Sequence, residues 1–445
     1  MVRNTLSAVI VSLVFISGAA AESLSLDRAI ETAIANNTDL QKTALAYQQA
    51  KRAKDYGWNQ FLPSISGPSV GLSHTHRIYP PESDAAGSSG GGSGWSWSSV
   101  SIGAGITFTT DIPTQFRLLD NKYKQAEEAY KKAERDLSAS VASSFYLLLS
   151  EKIGIDILTT DMELKKAQYD EAEANYRRGL ASELDMLNAQ YAYLIAGTSL
   201  ENAVNKYSED LAAFFLLIGL DVKSDLEPEG TIEIRLLDIP PAEELIGRYL
   251  LSRSDIQTQI HTLEQTKLNA SSRIRQAAPS LSVSERLNLS PGSFKFEDPS
   301  VSGTFSLSVS IPLDPWIPGS AQSLNRKNDR DSVALAETAL EAAKKNAAQD
   351  IQKKANAVVQ NAANIEPSEL NYRIAMRAYE LTEQGYRSGM VNQTELQSAN
   401  QKRVSAEQAA MTTKIAYLTA VYNLALALNL DITEFYALYA RDNIQ

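Results

Sequence analysis

The sequence predicts a mixed fold of very long α-helices and transmembrane β-strands, arranged as an internal two-fold repeat. Three observations carry that reading. Helical stretches run for more than sixty residues with almost no Gly or Pro, short runs alternate apolar with Ser/Thr, and the chain aligns with itself at an offset of about 210 residues.

The repeat is the broadest of these signals. "YRRGLASELDMLN" (176–188) is echoed by "YRSGMVNQTELQS" (386–398). Without gaps, Tyr169 meets Tyr379, Glu173 meets Glu383, Ala189 meets Ala399, Tyr207 meets Tyr417, and Leu220-Asp221 meets Leu430-Asp431. At a neighbouring offset, "TDLQ" (38–41) meets "SDIQ" (254–257) and "LPSIS" (62–66) meets "APSLS" (278–282). The unit is far longer than the 20–50 residues of solenoid repeats, so it reads as a duplicated domain-sized unit. One copy spans about 22–225 and the other about 238–440.

Residues 1–21 stand apart. Arg3, an apolar run from Leu6 to Ile16 and Ala19-Ala20-Ala21 make the pattern of a secretory signal peptide, with the mature chain 22–445. The chain has no cysteine, so disulfides play no part in its stability, and an acylated cysteine is unavailable as an anchor. The net charge is −11, or −12 once Arg3 is removed, which argues against nucleic acid and against anionic lipid surfaces as partners. No later segment offers 18 consecutive apolar residues, so entry into a membrane would require β-strands.

Each copy has the same order of elements. Helical stretches at 26–58 and 241–276 come first, followed by two strand-like runs. Then come helices about 115–178 and 320–387, a glycine break, and returning helices 182–218 and 392–430. The long segments are rich in Ala, Glu, Lys, Gln and Leu. In the returning helix, Leu184, Leu187, Tyr191 and Leu194 recur at threes and fours, and Leu200, Val204, Tyr207, Leu211, Phe214 and Ile218 follow in a second register. That is a coiled-coil seam. A continuous helix of this length measures about 100 Å, a rod that no compact domain needs. Pro367 is expected to interrupt and kink the second rod.

The strand regions are about 64–110 and 279–313. In "VSGTFSLSVSIPL" (301–313), Val301, Phe305, Leu307, Val309, Ile311 and Leu313 share one face, and Ser and Thr share the other. "VSIGAGITF" (100–108) alternates likewise, and "LSVSERLNL" (281–289) does so apart from Glu285 and Arg286. Trp95 and Trp97 are out of phase with Val100 by one residue, which suggests a bulge or a strand end. Glycine-, serine- and proline-rich stretches, 80–94 and 290–300, join the pairs. Apolar on one face, hydroxylated on the other and about ten residues long is the pattern of a transmembrane barrel strand. Four strands cannot close, and an open edge in lipid is forbidden, so several copies must each give four strands. Three copies make twelve.

The repeated break is first a helix–turn–helix hairpin. Gly179 and Gly389 suit the left-handed position after a helix end. Ser182 and Asn392 are N-caps, and Asp185 and Glu395 stand three residues later, where an acid completes a capping box. Trp58, Trp95, Trp97 and Trp316 flank strand ends, where an aromatic girdle belongs. His74 and His76 share a strand face but lack the further ligands a metal site needs, so no metal and no cofactor is assigned. Neither a phosphate-binding glycine loop nor a nucleophile–base pair stands out, so catalysis is not expected.

In this order, the duplicated helix–hairpin–helix unit, its Tyr-x-x-Gly breaks, "LPSIS" and "APSLS" at strand entry, and "SIPLDPW" (310–316) resemble the TolC-like outer membrane efflux proteins over nearly the whole mature chain. The resemblance implies a homotrimer in the outer membrane of a Gram-negative bacterium. A 12-stranded β-barrel there is surrounded by outer membrane lipids and continues into a periplasmic α-helical coiled-coil tunnel, built here by helices 115–220 and 320–430. It implies a passive exit duct for a tripartite efflux or type I secretion system, partnered by a periplasmic adaptor and an inner-membrane transporter. The glycine hairpins would form the closing tip, with Glu395 repeated as an acidic ring and Tyr386 hydrogen-bonded to Asp185. Ser398 and Val391 depart from the charged residues such a tip can carry. Asp185 and Glu395 therefore either cap helices alone or cap and gate. The competing reading is a soluble periplasmic coiled-coil adaptor or a secreted structural rod, which would leave the strands wet.

Overall fold

The computed structural model describes residues 22–69, 72–75, 94–97, 100–222, 226–232, 234–290 and 300–440. The expected signal peptide, His76 and most of both strand-joining loops lie outside them.

In chain order, β1 (Glu22–Leu24) precedes α1 (Leu26–Asn36) and α2 (Thr38–Asp55). Four strands follow: β2 (Ser64–Ser69), β3 (Leu72–Thr75), β4 (Gly94–Trp97) and β5 (Val100–Phe108). Next are the long α3 (Ile112–Arg177), the returning α4 (Glu183–Leu217) and β6 (Leu226–Pro228). The second half has α5 (Ala242–Tyr249), α6 (Ser254–Gln276), β7 (Ser280–Ser290) and β8 (Ser300–Ser310). It ends with α7 (Ala321–Arg387), α8 (Gln393–Ala427) and α9 (Ile432–Tyr439).

The long helices α3 and α7 have 66 and 67 residues, starting within three residues of the expected positions. Helix α7 runs through Pro367 without the expected interruption. Proline removes one N–H and crowds the carbonyl four residues back, at a cost of about 3 kcal/mol. Packing along a helix this long offsets a single lost bond.

The chain divides into two compact units, the first formed by Gln41–Ala133 and Ala242–Gln352. It holds an antiparallel sheet in the order β2-β5-β7-β8. Its register runs from Val100↔Leu289 to Phe108↔Leu281, and from Leu289↔Val301 to Leu281↔Val309. Apolar residues therefore meet across the strands: Ile106, Val283 and Leu307 in one row, and Phe108, Leu281 and Val309 in the next. On β8, Val301, Phe305, Leu307 and Val309 are all more than 60% exposed. Glu285 falls in the same face, between Ala104 and Phe305, and a Cβ at Gly303 would stand 3.2 Å from its Oε1. Strand β3 pairs with β4, from Leu72↔Trp97 to Thr75↔Gly94. The residues between β2 and β3 and between β4 and β5, where the expected bulge or strand end would fall, lie outside the described residues.

Helix–strand junctions in this unit are fastened by buried polar groups. Asp111 Oδ2 accepts from Ser272 Oγ at 2.7 Å and from Gln115 Nε2 at 2.6 Å, tying the start of α3 to the end of α6. Arg253 bridges Asp350 at 2.9 Å and Asp255 at 2.7 Å. His261, for which the sequence suggests no role, has Nδ1 2.9 Å from Asn121 Oδ1.

The second unit comprises the chain up to Leu40, Glu134–Pro241, and Lys353 onward. Its core gathers Phe145, Leu148, Phe214, Phe215, Leu418, Val421 and Phe435 around the ends of α4 and α8. Strand β1 pairs in parallel with β6. The 234–240 segment is held by Tyr417, fully buried, whose hydroxyl donates to the Arg235 carbonyl at 2.9 Å and accepts from the Leu237 N–H at 3.1 Å. Helix α4 ends at Gly219, with φ of 74°, and α8 ends at Asn429, with φ of 63°. A Cβ at Gly219 would stand 2.6 Å from the Asn36 carbonyl, so this turn requires glycine for space as well as for conformation.

Tyr417→Phe leaves a buried N–H and a carbonyl without their shared partner. It is expected to lower unfolding stability by about 1–3 kcal/mol, measured by chemical denaturation of the purified protein.

Candidate functional site at the helical hairpins

Both glycine breaks lie in the second unit and close in the same way. At the end of α3, Leu180 N donates to Asn175 O at 2.8 Å and Gly179 N to Tyr176 O at 2.9 Å. At the end of α7, Met390 N donates to Gly385 O at 2.9 Å and Gly389 N to Tyr386 O at 3.0 Å. These are Schellman caps, and Gly179 (φ 71°) and Gly389 (φ 74°) occupy the left-handed position each requires. The motif arginines sit in the last helical turns. Arg177 pairs with Glu173 at 2.8 Å and Arg387 with Glu383 at 2.6 Å.

The returning helices start with the expected caps. Ser182 Oγ accepts from Asp185 N at 3.1 Å, and Asp185 Oδ2 accepts from Ser182 Oγ at 2.7 Å and from Ser182 N at 3.3 Å, completing a capping box. Asn392 Oδ1 accepts from Glu395 N at 2.9 Å. The Glu395 side chain is exposed and lines an open groove of about 760 Å³ between α7 and α8, together with Thr382, Val391, Ser398 and Lys402. Within one chain, then, the Asp185 carboxylate is engaged by its own cap rather than by Tyr386. Tyr386 lies close enough to be affected by it. Its hydroxyl is raised above the usual tyrosine pKa by burial first, and then by the charges of Glu171 and Asp185.

The hairpins differ where size is exchanged. A Cβ at Gly385 would stand 2.7 Å from Val391 Cγ2, so Val391 closes over a glycine. In the first hairpin the corresponding residues are Asn175 and Ala181, and Asn175 Oδ1 takes Arg178 Nη2 at 2.8 Å. Val391 at the charged position is thus a packing residue of its own turn.

Behind the hairpins, a buried polar chain joins α3, α7 and α8. Asn400, 1% exposed, donates through Nδ2 to Asp161 Oδ1, and Lys165 meets Asp161 Oδ2 at 2.8 Å. Arg403 Nε donates to Asn400 Oδ1 at 3.2 Å and its Nη1 reaches Glu407 Oε2 at 2.9 Å. The Tyr372 hydroxyl donates to Glu407 Oε1 at 3.3 Å, and Arg403 lies 5.5 Å from the Tyr379 ring centre. This clamp was missed at the sequence level. Its only signal there is a polar residue, Asn400, where the apolar spacing of α8 expects a core position.

The remaining candidates are dispersed. Trp58 is half exposed in the 3₁₀ turn before β2, and Trp316 is 69% exposed in the turn after β8. Trp95, Trp97 and His74 are described as backbone positions in β4 and β3. Among the described residues, no group of three His, Cys, Asp or Glu is placed to hold a metal.

The family profile "Outer membrane efflux protein" matches residues 29–220 and again 245–430. The chain belongs to that family. It is therefore an outer membrane protein of the Gram-negative type, in a family of channels and efflux ducts rather than enzymes, which sets aside the soluble adaptor and the secreted rod. The chain is 24% identical to the probable efflux pump outer membrane protein TtgC of Pseudomonas putida, over 91% of this chain and 82% of that one. It is 21% identical to the solvent efflux pump outer membrane protein SrpC of Pseudomonas putida over 65% of this chain, a match that spans 61% of that relative's length. The fold is that of the Campylobacter jejuni CmeC outer membrane channel, with a TM-score of 0.77 at 16% identity, covering 93% of this chain and 88% of that one.

Two outcomes are expected by thermal or chemical denaturation. Asn400→Ala leaves Asp161 short of a buried donor and costs about 1–3 kcal/mol. Ser182→Ala removes the α4 cap and costs about 1 kcal/mol.

Proposed function

We propose that this efflux-family chain works as a homotrimeric exit duct, with four strands per copy closing a 12-stranded barrel and twelve helical segments forming a tunnel beneath it. The observation that carries the reading is a pair of unmet surfaces. Among the described residues, the sheet ends in two edges with no strand paired outside them, β2 and β8. The α4 seam of Leu184, Leu187, Tyr191 and Leu194 is exposed along its length, Leu187 least at 47%. Backbone groups cannot stay unpaired in lipid, and an apolar coiled-coil seam needs a partner helix. A second copy of the chain offers both. The recurrence of the hairpin geometry at Gly179 and Gly389, with two separate family matches, supports a duplicated protomer, with one repeat over about 22–225 and a second over about 238–440; the signal peptide at 1–21 rests on the sequence pattern alone.

In this duct, cargo passes without energy input from the protein itself. A periplasmic adaptor and an inner-membrane transporter would load it, a reading supported by relatives named as outer membrane proteins of efflux pumps. The hairpins form the periplasmic tip. Threefold symmetry would set three Glu395 carboxylates around the axis. Asp185 uses Oδ2 in its capping box, which leaves Oδ1 to accept the Tyr386 hydroxyl while the cap stays in place. Closing the tip then adds a single tyrosine bond per hairpin to an intact cap, a small increment that can be made and broken.

In planar bilayers, Glu395→Ala and the double variant Asp185→Ala/Tyr386→Phe are expected to raise basal conductance several-fold over the unmodified protein. Unchanged conductance in both would reduce the motif to a pair of turns. The net negative charge is expected to favour cations, read as the sign of the reversal potential in a salt gradient.

A further inference from the structure

The end of α6 and the start of α7 enclose an open groove of about 440 Å³ beside the foot of the sheet, lined by Ala270, Ile274, Arg326, Lys327, Asp329 and Arg330. Its one acid is taken up, since Asp329 pairs with Arg273 at 2.9 Å. Arg326 reaches back to the Pro315 carbonyl and covers the Trp316 ring, its guanidinium 5.8 Å from the ring centre. Lys327 and Arg330 are exposed. This cationic surface lies on a chain whose net charge is −11.

The surroundings are apolar. Ile274, Leu313, Trp316, Ile317 and Leu324 are all exposed, and Leu313 continues the lipid-type face of β8 through Ile311 to Val309, Leu307 and Phe305. The matching junction of the first half has a different charge pattern. There Asp120 is held by Lys54 at 2.7 Å and by Lys124 at 2.9 Å, so the cations are largely answered within the protein.

We propose that the Arg326–Lys327–Arg330 groove binds the phosphate of an anionic phospholipid in the periplasmic leaflet, with the acyl chains lying along the apolar face of β8. Guanidinium groups match phosphate oxygens in a planar fork, and a lysine adds a point charge beside them. Trp316 sits where a tryptophan serves best, at the boundary between headgroup and chain. The site needs both parts: the cations alone would attract any anion, and the apolar ledge selects one that carries chains. It rests on β8 facing lipid, as in the proposed barrel, and would give one such lipid per copy.

The test uses the full chain extracted from outer membranes in a mild zwitterionic detergent. Lipid adducts are counted by native mass spectrometry with phosphatidylglycerol and with phosphatidylethanolamine of the same chain length. The expected result is a preference for phosphatidylglycerol that weakens as salt screens the groove. Each surface cation should contribute about fivefold to that preference, so Lys327→Gln/Arg330→Gln should reduce it about 25-fold. Lys402→Gln, at the hairpin end, should leave it unchanged. Arg326 is retained because it also holds Trp316. Equal binding of the two lipids by the unmodified protein, or an unaltered preference in the double variant, would overturn the proposal. Should the double variant fail to assemble, the lipid preference of the unmodified protein and its salt dependence decide. The same spectra give the number of copies, so a failed trimer reading shows in the oligomer mass, separately from the lipid result.

Discussion

The structure depends on one constraint: a backbone N–H or C=O cannot remain unpaired in hydrocarbon. The four-stranded sheet pairs internally across β5 and β7 but leaves β2 and β8 as edges. One face offers rows such as Phe108, Leu281 and Val309, which suit lipid, while its edges do not. Strand β2 contains Gly67 and Pro68 at its register shift, and proline is tolerated in a sheet mainly at an edge or a bulge. On the proposed reading, those edges meet their counterparts in neighbouring copies, and the barrel exists only as an assembly.

The helices show the same incompleteness. In water, Leu184, Leu187, Tyr191 and Leu194 have no reason to form an exposed stripe except to pack against something, and the core of the second unit is already filled by Phe145, Phe214, Phe215 and Tyr417. The protomer is therefore well packed around the ends of α4 and α8 and unsatisfied along its rods. The polar clamp of Asp161, Asn400, Arg403 and Glu407 falls between these regimes. A buried polar link of this kind adds little net stability, but it sets which turn of α8 faces which turn of α3. On the proposed reading, that register reaches the hairpins and places Glu395 and Tyr386 to within a helical turn.

Much of this was legible in the sequence because it is local. Hairpin caps follow from Gly, Ser, Asn and an acid at fixed spacing, and Ser182–Asp185 formed the capping box its spacing suggested. Strand faces follow from period-two alternation, and helix lengths from the absence of breakers. Pro367 misled because the cost of one proline is small beside the packing of a 67-residue helix. What stayed hidden is long-range. The bonds from Tyr417 to Arg235 and Leu237 span about 180 residues, and Asn400 to Asp161 spans 239. Tyr417 leaves no local pattern, and Asn400 shows only as a polar residue at an apolar position, with nothing nearby in sequence to name its partner. The space Gly303 leaves beside Glu285 is visible only once the strand register is known.

The absence of cysteine makes the edge constraint directly testable. Single cysteines are introduced on β2 at Ser64 or Ser66 and on β8 at Thr304, Ser306 or Ser308, combined pairwise in one chain, and oxidised in intact outer membranes. The proposed assembly predicts that at least one pairing yields covalent dimers and trimers on denaturing gels, with the series stopping at three chains. Monomers in every pairing, or a series that continues past three, would contradict it.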